Sequence, residues 1–161
     1  PFGHLTVAEN IAVGAHLRLR SRGEALRHAA RIAERVGLAG RLDQSAESLT
    51  VAGRKRLELA RALATEPRVL LLDEVMAGLN PREIDEIVAI VRAIRDGGVT
   101  VLLTEHVMRA VMQLSDRTLV LNDGRLIAEG RPRDIAADPR VIEAYLGAGA
   151  AKSLREVAAY G

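Results

Sequence analysis

The sequence predicts an α/β fold with a mainly parallel sheet, and three observations point to that class. Residues 69–74 read VLLLDE, an apolar run that ends in two acids and is typical of a strand buried on both faces. Residues 99–104, VTVLLT, form a second run of this kind. Between the two runs, apolar side chains recur at helical spacing, at Ile84, Ile87, Val88, Val91 and Ile94. Strand, helix and strand in this order make a βαβ unit with parallel strands and a right-handed crossover.

The size and charge of the chain narrow the classes of protein. With 161 residues and 48% hydrophobic content, the chain is long enough for one ordinary domain with a core, and its composition is not that of a disordered protein. The 23 Lys and Arg residues nearly balance the 21 Asp and Glu residues, and the aromatic residues are only Phe2, Tyr145 and Tyr160. We therefore expect no nucleic-acid partner.

The absence of cysteine excludes disulfides and thiolate metal sites. No uninterrupted apolar stretch of the sequence approaches the ~20 residues that cross a bilayer. We therefore expect any role at a membrane to be peripheral.

The N-terminal part is predicted to be helical. Residues 6–9, TVAE, form a capping box that starts a helix reaching about His16. Residues 21–24, SRGE, form another, and the amphipathic helix after it ends at Gly37. Up to about Gln44 the sequence therefore predicts helices and loops.

A further helix is predicted within residues 49–64, with Thr50 as its N-cap. The start of such a helix offers unpaired backbone N–H groups and the positive end of a dipole, which suit an anion such as phosphate. An ordinary capped helix is the alternative, and this stretch alone does not decide between the two.

Acidic and imidazole side chains follow the two predicted strands. Asp73 and Glu74 end the first strand, and His106 follows the second. Because the carboxyl ends of parallel strands share an edge, where ligands of open α/β sheets bind, we expect these three residues on one rim. A chance acidic strand end and a lone surface histidine are the alternatives.

The remaining elements are predicted from their boundary signals. Asn80 caps the crossover helix, with Pro81 at its first position, and residues 96–98, DGG, end it. An Asn-Asp-Gly turn at residues 122–124 predicts a hairpin. Its strands occupy residues 117–121 and 126–130, and short helices are expected at residues 107–114, 131–136 and 139–146.

In their order and separation, four of these segments resemble the motifs of ABC-transporter ATPase subunits. Residues 69–74 resemble the Walker B motif, residues 77–80 (AGLN) the D-loop, and residues 104–106 (TEH) the switch-histidine loop. Residues 49–63 stand where the signature motif and its helix stand. Within that family, three segments resemble the ATPases of branched-chain amino-acid importers. They are residues 2–10, 105–108 and 141–147.

The resemblance implies a P-loop NTPase fold of the ABC ATPase type and the ligands ATP and Mg²⁺. It assigns Asp73 to the Mg²⁺ shell, Glu74 to the attacking water and His106 to the γ-phosphate. It assigns nucleotide contacts to Thr50, Val51, Ala52, Gly53 and Asn80.

The signature segment departs from the family pattern Leu-Ser-Gly-Gly-Gln. Thr50 keeps a hydroxyl, but Val51 and Ala52 replace glycines, and Gly53 takes the place of Gln. Because Cβ atoms hinder the close approach of a backbone to phosphate, we expect a weakened or altered contact across a dimer. At the D-loop, Asn80 replaces the usual Asp and removes a charge.

The 161 residues contain no Gly-x-x-x-x-Gly-Lys-Ser/Thr loop. The Q-loop Gln of the family would stand before Pro1 and is also not among them. We interpret the chain as a C-terminal fragment. Residues 1–147 are then a partial ABC ATPase domain, of which residues 46–147 hold the signature helix and the rest of the catalytic core, and residues 148–161 are a tail. Without the phosphate cradle we expect the fragment alone to be inactive and its parent protein to hydrolyse ATP.

These features favour a Mg²⁺-dependent ATPase subunit of an importer for branched-chain amino acids. It would pair with a second ATP-binding subunit, as a homo- or heterodimer, against transmembrane permease subunits. Its place would be the cytoplasmic face of the inner membrane, as a peripheral protein. Two alternatives stay open, a non-catalytic truncated remnant and an ATPase of DNA repair or chromosome organisation. ATPases of the latter kind carry long coiled coils between these motifs, and the roughly 40 residues before the signature segment leave no room for one.

Overall fold

The computed structural model describes residues 1–146, and the last of these, Leu146, by its backbone only. The chain divides into two compact units, Pro1–Val107 and Met108–Gly161. The first unit contains the helices α1 (Val7–Ala15), α2 (Arg22–Arg35), α3 (Val51–Leu63) and α4 (Pro81–Asp96) and the strands β1 (Val69–Asp73) and β2 (Thr100–Thr104). The second contains α5 (Met108–Leu114), β3 (Thr118–Asn122), β4 (Arg125–Gly130), α6 (Pro132–Ala136) and α7 (Pro139–Leu146).

Local capping explains where the first helix begins. The Thr6 hydroxyl accepts a hydrogen bond from the backbone N–H of Glu9 at 3.2 Å, and the Glu9 carboxylate accepts one from the backbone N–H of Thr6 at 3.1 Å. The predicted capping box is thus confirmed. At α2, Ser21 is the N-cap residue, but its side chain makes no capping hydrogen bond, so the second predicted box is wrong.

In the first unit, α1 packs against α2 and α3. A Cβ atom at Gly14 would come within 2.4 Å of the Arg61 carbonyl oxygen, so glycine lets the backbones of α1 and α3 approach closely. The fully buried aliphatic side chains in this region come from α1, from α2 and the residue after it, and from α3: Val7, Ile11, Ala25, Ala29, Ala33, Val36, Leu57 and Ala60. Burial of an apolar stripe, rather than capping alone, therefore holds α2 in place.

The predicted βαβ unit is confirmed. β1 and β2 are parallel and pair from Val69 with Thr100 to Asp73 with Thr104. α4 connects them, with a capping box at its start and Gly97 as its C-cap. The last residues of both strands consequently lie at the same edge of the pair.

The prediction that the first strand is buried on both faces is wrong. Leu70 and Leu72 are buried, whereas Val69 is 55% and Leu71 70% exposed, and Leu102 on β2 is 59% exposed. Only one face of this strand pair is covered by the described residues. A run of consecutive aliphatic residues indicates burial but does not show what provides it.

The second unit is built on the predicted hairpin. β3 and β4 are antiparallel, with an irregular register between Val120 and Leu121. Asp123 and Gly124 have φ values of 48° and 75°, as the tight turn of a two-residue hairpin requires. One buried cluster of this unit consists of Ala128, Ile135 and Val141, with Val120 packed against it.

Candidate functional site

The candidate site begins at the shared edge of β1 and β2. Asp73 ends β1 directly opposite Thr104, the last residue of β2. The backbone N–H of Glu74 donates a hydrogen bond to the Thr104 carbonyl at 2.9 Å, which extends the pairing past the end of β1. Glu74 has a φ of 44°, in the left-handed region, where a non-glycine residue costs about 1–3 kcal/mol and persists only when its surroundings hold it.

His106 and Glu74 face each other across this edge. The Nδ1 atom of His106 lies 3.7 Å from Oε1 of Glu74. Both side chains are more than half exposed, at 58% and 59%, so a ligand in solution could reach them. The structure thus brings Glu74 and His106 together beside Asp73, as the βαβ argument predicts.

Glu105 was not among the predicted site residues, although it stands next to His106. Its Oε1 atom accepts a hydrogen bond from the backbone N–H of Met76 at 2.9 Å. Its Oε2 atom is buried and has no hydrogen-bond partner among the described residues. The position of Glu105 between Thr104 and His106 places it near the site, and this could be seen in the sequence. Its hydrogen-bond partner, Met76, lies in another loop and could not be predicted from that position.

Lys55 is a second residue near the site that was not predicted from the sequence. Its Nζ atom donates a long hydrogen bond, 3.5 Å, to the backbone carbonyl of Glu74. The same amine lies 3.9 Å from a carboxylate oxygen of Glu58, one turn further along α3. α3 therefore contacts the backbone of the candidate site through a cation.

The side chain of Asn80 is used for helix capping. Its Oδ1 atom accepts hydrogen bonds from the backbone N–H groups of Arg82 and Glu83, both at 3.0 Å. The Glu83 carboxylate in turn accepts a hydrogen bond from the Asn80 backbone N–H at 2.9 Å. The capping role of Asn80 is confirmed, and its contact with a nucleotide stays a prediction.

The segment from Thr50 to Gly53 is the N-cap and first turn of α3. The Thr50 hydroxyl accepts a hydrogen bond from the Gly53 backbone N–H at 3.2 Å, so one of the free donors at this helix start is already used. Val51 is 45% exposed, whereas Ala52 is buried. A Cβ at Gly53 would lie 3.2 Å from the Cβ of Leu49, which makes this glycine a packing residue.

This first turn borders a cleft of about 190 Å³. Arg56 lines the cleft. Its Nη2 atom lies 2.5 Å from a Glu86 carboxylate oxygen and its Nη1 atom 3.4 Å from the Val36 carbonyl oxygen. The cleft is lined by Gly37, Leu38, Arg41, Thr50, Ala52, Gly53, Arg56, Glu83 and Glu86. In the described part of the chain, no hydrogen bond or ion pair joins Thr50, Val51, Ala52 or Gly53 to the Asp73, Glu74 and His106 edge.

The acidic residues of the edge fit a Mg²⁺ ion that is shared with a nucleotide. Residues 1–146 contain no group of three or more metal-ligating side chains. At nucleotide sites Mg²⁺ usually takes only one or two carboxylates and completes its shell with phosphate oxygens and water. Asp73, exposed at the end of β1, can supply one such carboxylate.

Family models match two parts of the chain. Residues 1–77 match the ABC transporter family, and residues 125–151 match the family described as branched-chain amino acid ATP-binding cassette transporter. Among curated proteins, the high-affinity branched-chain amino acid transport ATP-binding protein BraF of Pseudomonas aeruginosa is 41% identical over 91% of the chain. LivG of Escherichia coli, with the same description, is 40% identical over 91% of the chain. The chain spans 64% of the length of these relatives.

Solved structures agree with the sequence matches. The ADP conformation of MJ1267, an ATP-binding cassette of an ABC transporter, superposes with a TM-score of 0.79 at 29% identity, over 91% of this chain and 65% of that one. A nucleotide-free ATP-binding cassette superposes with a TM-score of 0.80 at 29% identity, over the same shares. Within residues 1–146, no helix is long and apolar enough to span a membrane. The chain has the ABC ATPase fold of the P-loop NTPases, carries an ABC transporter domain match over residues 1–77, and is similar to the ATP-binding proteins of branched-chain amino acid transport.

Proposed function

We propose that this chain is the larger part of a Mg²⁺-dependent ATPase subunit that powers the import of branched-chain amino acids. The observation that carries the proposal is the meeting of Asp73, Glu74 and His106 at the carboxyl ends of two adjacent parallel strands, with 3.7 Å between His106 Nδ1 and Glu74 Oε1. The names and descriptions of BraF and LivG support the choice of solute.

Each of the three residues has a role that its chemistry suits. Asp73 would hold Mg²⁺, through water, and Glu74 would orient the attacking water and accept its proton. The His106 imidazole would donate a hydrogen bond toward the γ-phosphate. When bound, Mg²⁺ supplies charge neutralisation on the phosphates, which leaves positioning as the main task of the protein.

The partners follow from the same assignment. We propose a homo- or heterodimer of ATP-binding subunits, in which Thr50, Val51, Ala52, Gly53 and Asn80 contact nucleotide. About residues 1–45 would form the helical subdomain that meets the transmembrane permease subunits. The assembly would place this chain peripherally on the cytoplasmic face of the inner membrane.

The experiment is Mg²⁺-dependent ATP turnover of the chain completed upstream with its Gly-x-x-x-x-Gly-Lys-Ser/Thr loop. We expect Glu74→Gln to lower kcat by about 100-fold or more, since it removes the proton acceptor but keeps the shape of the side chain. Glu143→Gln, at an exposed residue of α7 in the second unit, is the matched control and should leave kcat unchanged.

A second candidate is a non-catalytic protein of the same family. The Cβ atoms at Val51 and Ala52, where the family pattern has glycines, favour it. If the completed chain is folded and neither it nor Glu74→Gln turns over ATP, this candidate replaces the ATPase.

A further inference from the structure

We propose that Glu105 is a positioning residue for hydrolysis, which holds the loop after Glu74 against the loop that carries His106. The inference rests on the proposed ATPase function and assigns a role to a residue outside the predicted site. It is carried by one hydrogen bond, the burial of Met76 and of the Oε2 atom of Glu105, and the backbone geometry beside them.

The hydrogen bond joins loops that are distant in sequence. Glu105 Oε1 accepts it from the backbone N–H of Met76 at 2.9 Å, across 29 positions of the chain. Met76 is only 1% exposed, so its N–H group needs a partner inside the protein. Glu105 supplies that partner.

The bond lies directly beside the reacting groups. Met76 follows Glu74 by two positions, and Glu105 immediately precedes His106. One more bond connects the same loops, from the Glu74 backbone N–H to the Thr104 carbonyl at 2.9 Å. Together the two bonds fix the spacing of the Glu74 carboxylate and the His106 imidazole, and they hold Glu74 at its φ of 44°.

The second oxygen of Glu105 argues against a role in stability alone. Oε2 is buried without a hydrogen-bond partner among the described residues, and burying an unpaired acceptor is unfavourable. Glutamine would offer the same acceptor to Met76 without a buried charge. We therefore expect Glu105→Gln to preserve the positioning and Glu105→Ala to lose it.

The test uses the intact gene product with its P-loop and compares Glu105→Ala, Glu105→Gln and a control, Asp138→Ala. Asp138 likewise accepts a hydrogen bond from a backbone N–H, that of Arg140, at 2.9 Å, but it does so at the start of α7. The measurements are kcat and KM for MgATP, the thermal unfolding midpoint, and hydrogen exchange at the Met76 amide.

We expect Glu105→Ala to lower kcat roughly 10- to 100-fold, because a small misplacement of reacting groups has an effect of this size, and to change KM by less than about threefold. Exchange at the Met76 amide should accelerate in Glu105→Ala. Glu105→Gln should restore both kcat and amide protection. Asp138→Ala should lower the unfolding midpoint and keep kcat.

Three outcomes overturn the proposal: wild-type kcat in Glu105→Ala, equal losses of kcat in Glu105→Gln and Glu105→Ala, or an unchanged Met76 amide in Glu105→Ala. Failure of the proposed function looks different, because the unsubstituted protein would then show no turnover. The two hypotheses can therefore be separated in a single set of measurements.

Discussion

Gly37 leaves room for the Arg56 side chain, which links α3 to α2 and α4. It follows α2 with a φ of 71°, and a Cβ atom built there would lie 2.6 Å from Nη1 of Arg56. That guanidinium bonds the Val36 carbonyl at the end of α2 and the Glu86 carboxylate on α4. A side chain at this position would therefore strain the backbone and displace a cation that is already held from two sides.

We predict that Gly37→Ala destabilises the protein by about 1–2 kcal/mol, since alanine disfavours the left-handed conformation. The measurement is the free energy of unfolding in urea. Gly40→Ala is the control, because Gly40 has no positive φ and no atom lies within 4 Å of its Cβ position. Equal unfolding free energies for the two variants would contradict the assignment.

The carboxylate of Glu9 gives a prediction about acid. Hydrogen bonds from the backbone N–H and then the hydroxyl of Thr6 hold the pKa of Glu9 below its ordinary value of 4.5. A folded-state pKa that is depressed contributes stability above the unfolded-state pKa, and this contribution is lost as pH falls from about 4.5 through the folded-state value.

We therefore expect Glu9→Gln to flatten the fall of the thermal midpoint below about pH 4.5. Part of the fall should persist in the variant, because a side-chain hydrogen bond from Arg140 lowers the pKa of Asp138 as well. Identical pH profiles of the variant and the unsubstituted protein would show that the Thr6 capping box contributes nothing to acid stability.

At the scale of the element, β1 has two unlike faces. Leu70 is 3% exposed and Leu71 is 70% exposed, although the two are neighbours of the same type. Large-to-small substitutions are costly where the side chain is buried and nearly neutral where water already surrounds it.

We predict that Leu70→Ala lowers the free energy of unfolding of the 161-residue chain by about 2–5 kcal/mol, and Leu71→Ala by less than about 0.5 kcal/mol. Each variant serves as the control for the other in urea unfolding. A large effect at Leu71 would mean that this face is covered when the chain is in solution.

Element boundaries were the most predictable feature because they depend on nearby residues. The Thr6 capping box, the Asn80 cap and the Asp123-Gly124 turn all lie where the sequence predicts them. Burial was less predictable, because the exposed face of β1 depends on what packs on the strand and not on the strand itself. The Ser21 side chain, which makes no capping hydrogen bond, was likewise not predictable from nearby residues. The packing of α2 makes a side-chain cap dispensable there.

At the scale of the whole molecule, the fold class and the similarity to ABC transporter ATPases followed from the order of several motifs, none of which is decisive alone. The meeting of Glu74 with His106 was predictable, because parallel strands bring their carboxyl ends together. The contact of Glu105 with Met76 was not, because nothing local in either loop specifies a partner 29 positions away.

The backbone of Glu74 also has an evolutionary consequence. At a φ of 44°, the position disfavours β-branched residues, and it does so independently of any role of the side chain in catalysis. A lineage released from selection on catalysis would still be under selection for the loop, and substitutions there should drift toward Asn, Asp or Gly. If the proposed function holds, such a residue in a descendant would mark a protein that has lost the hydrolysis of ATP and kept the loop.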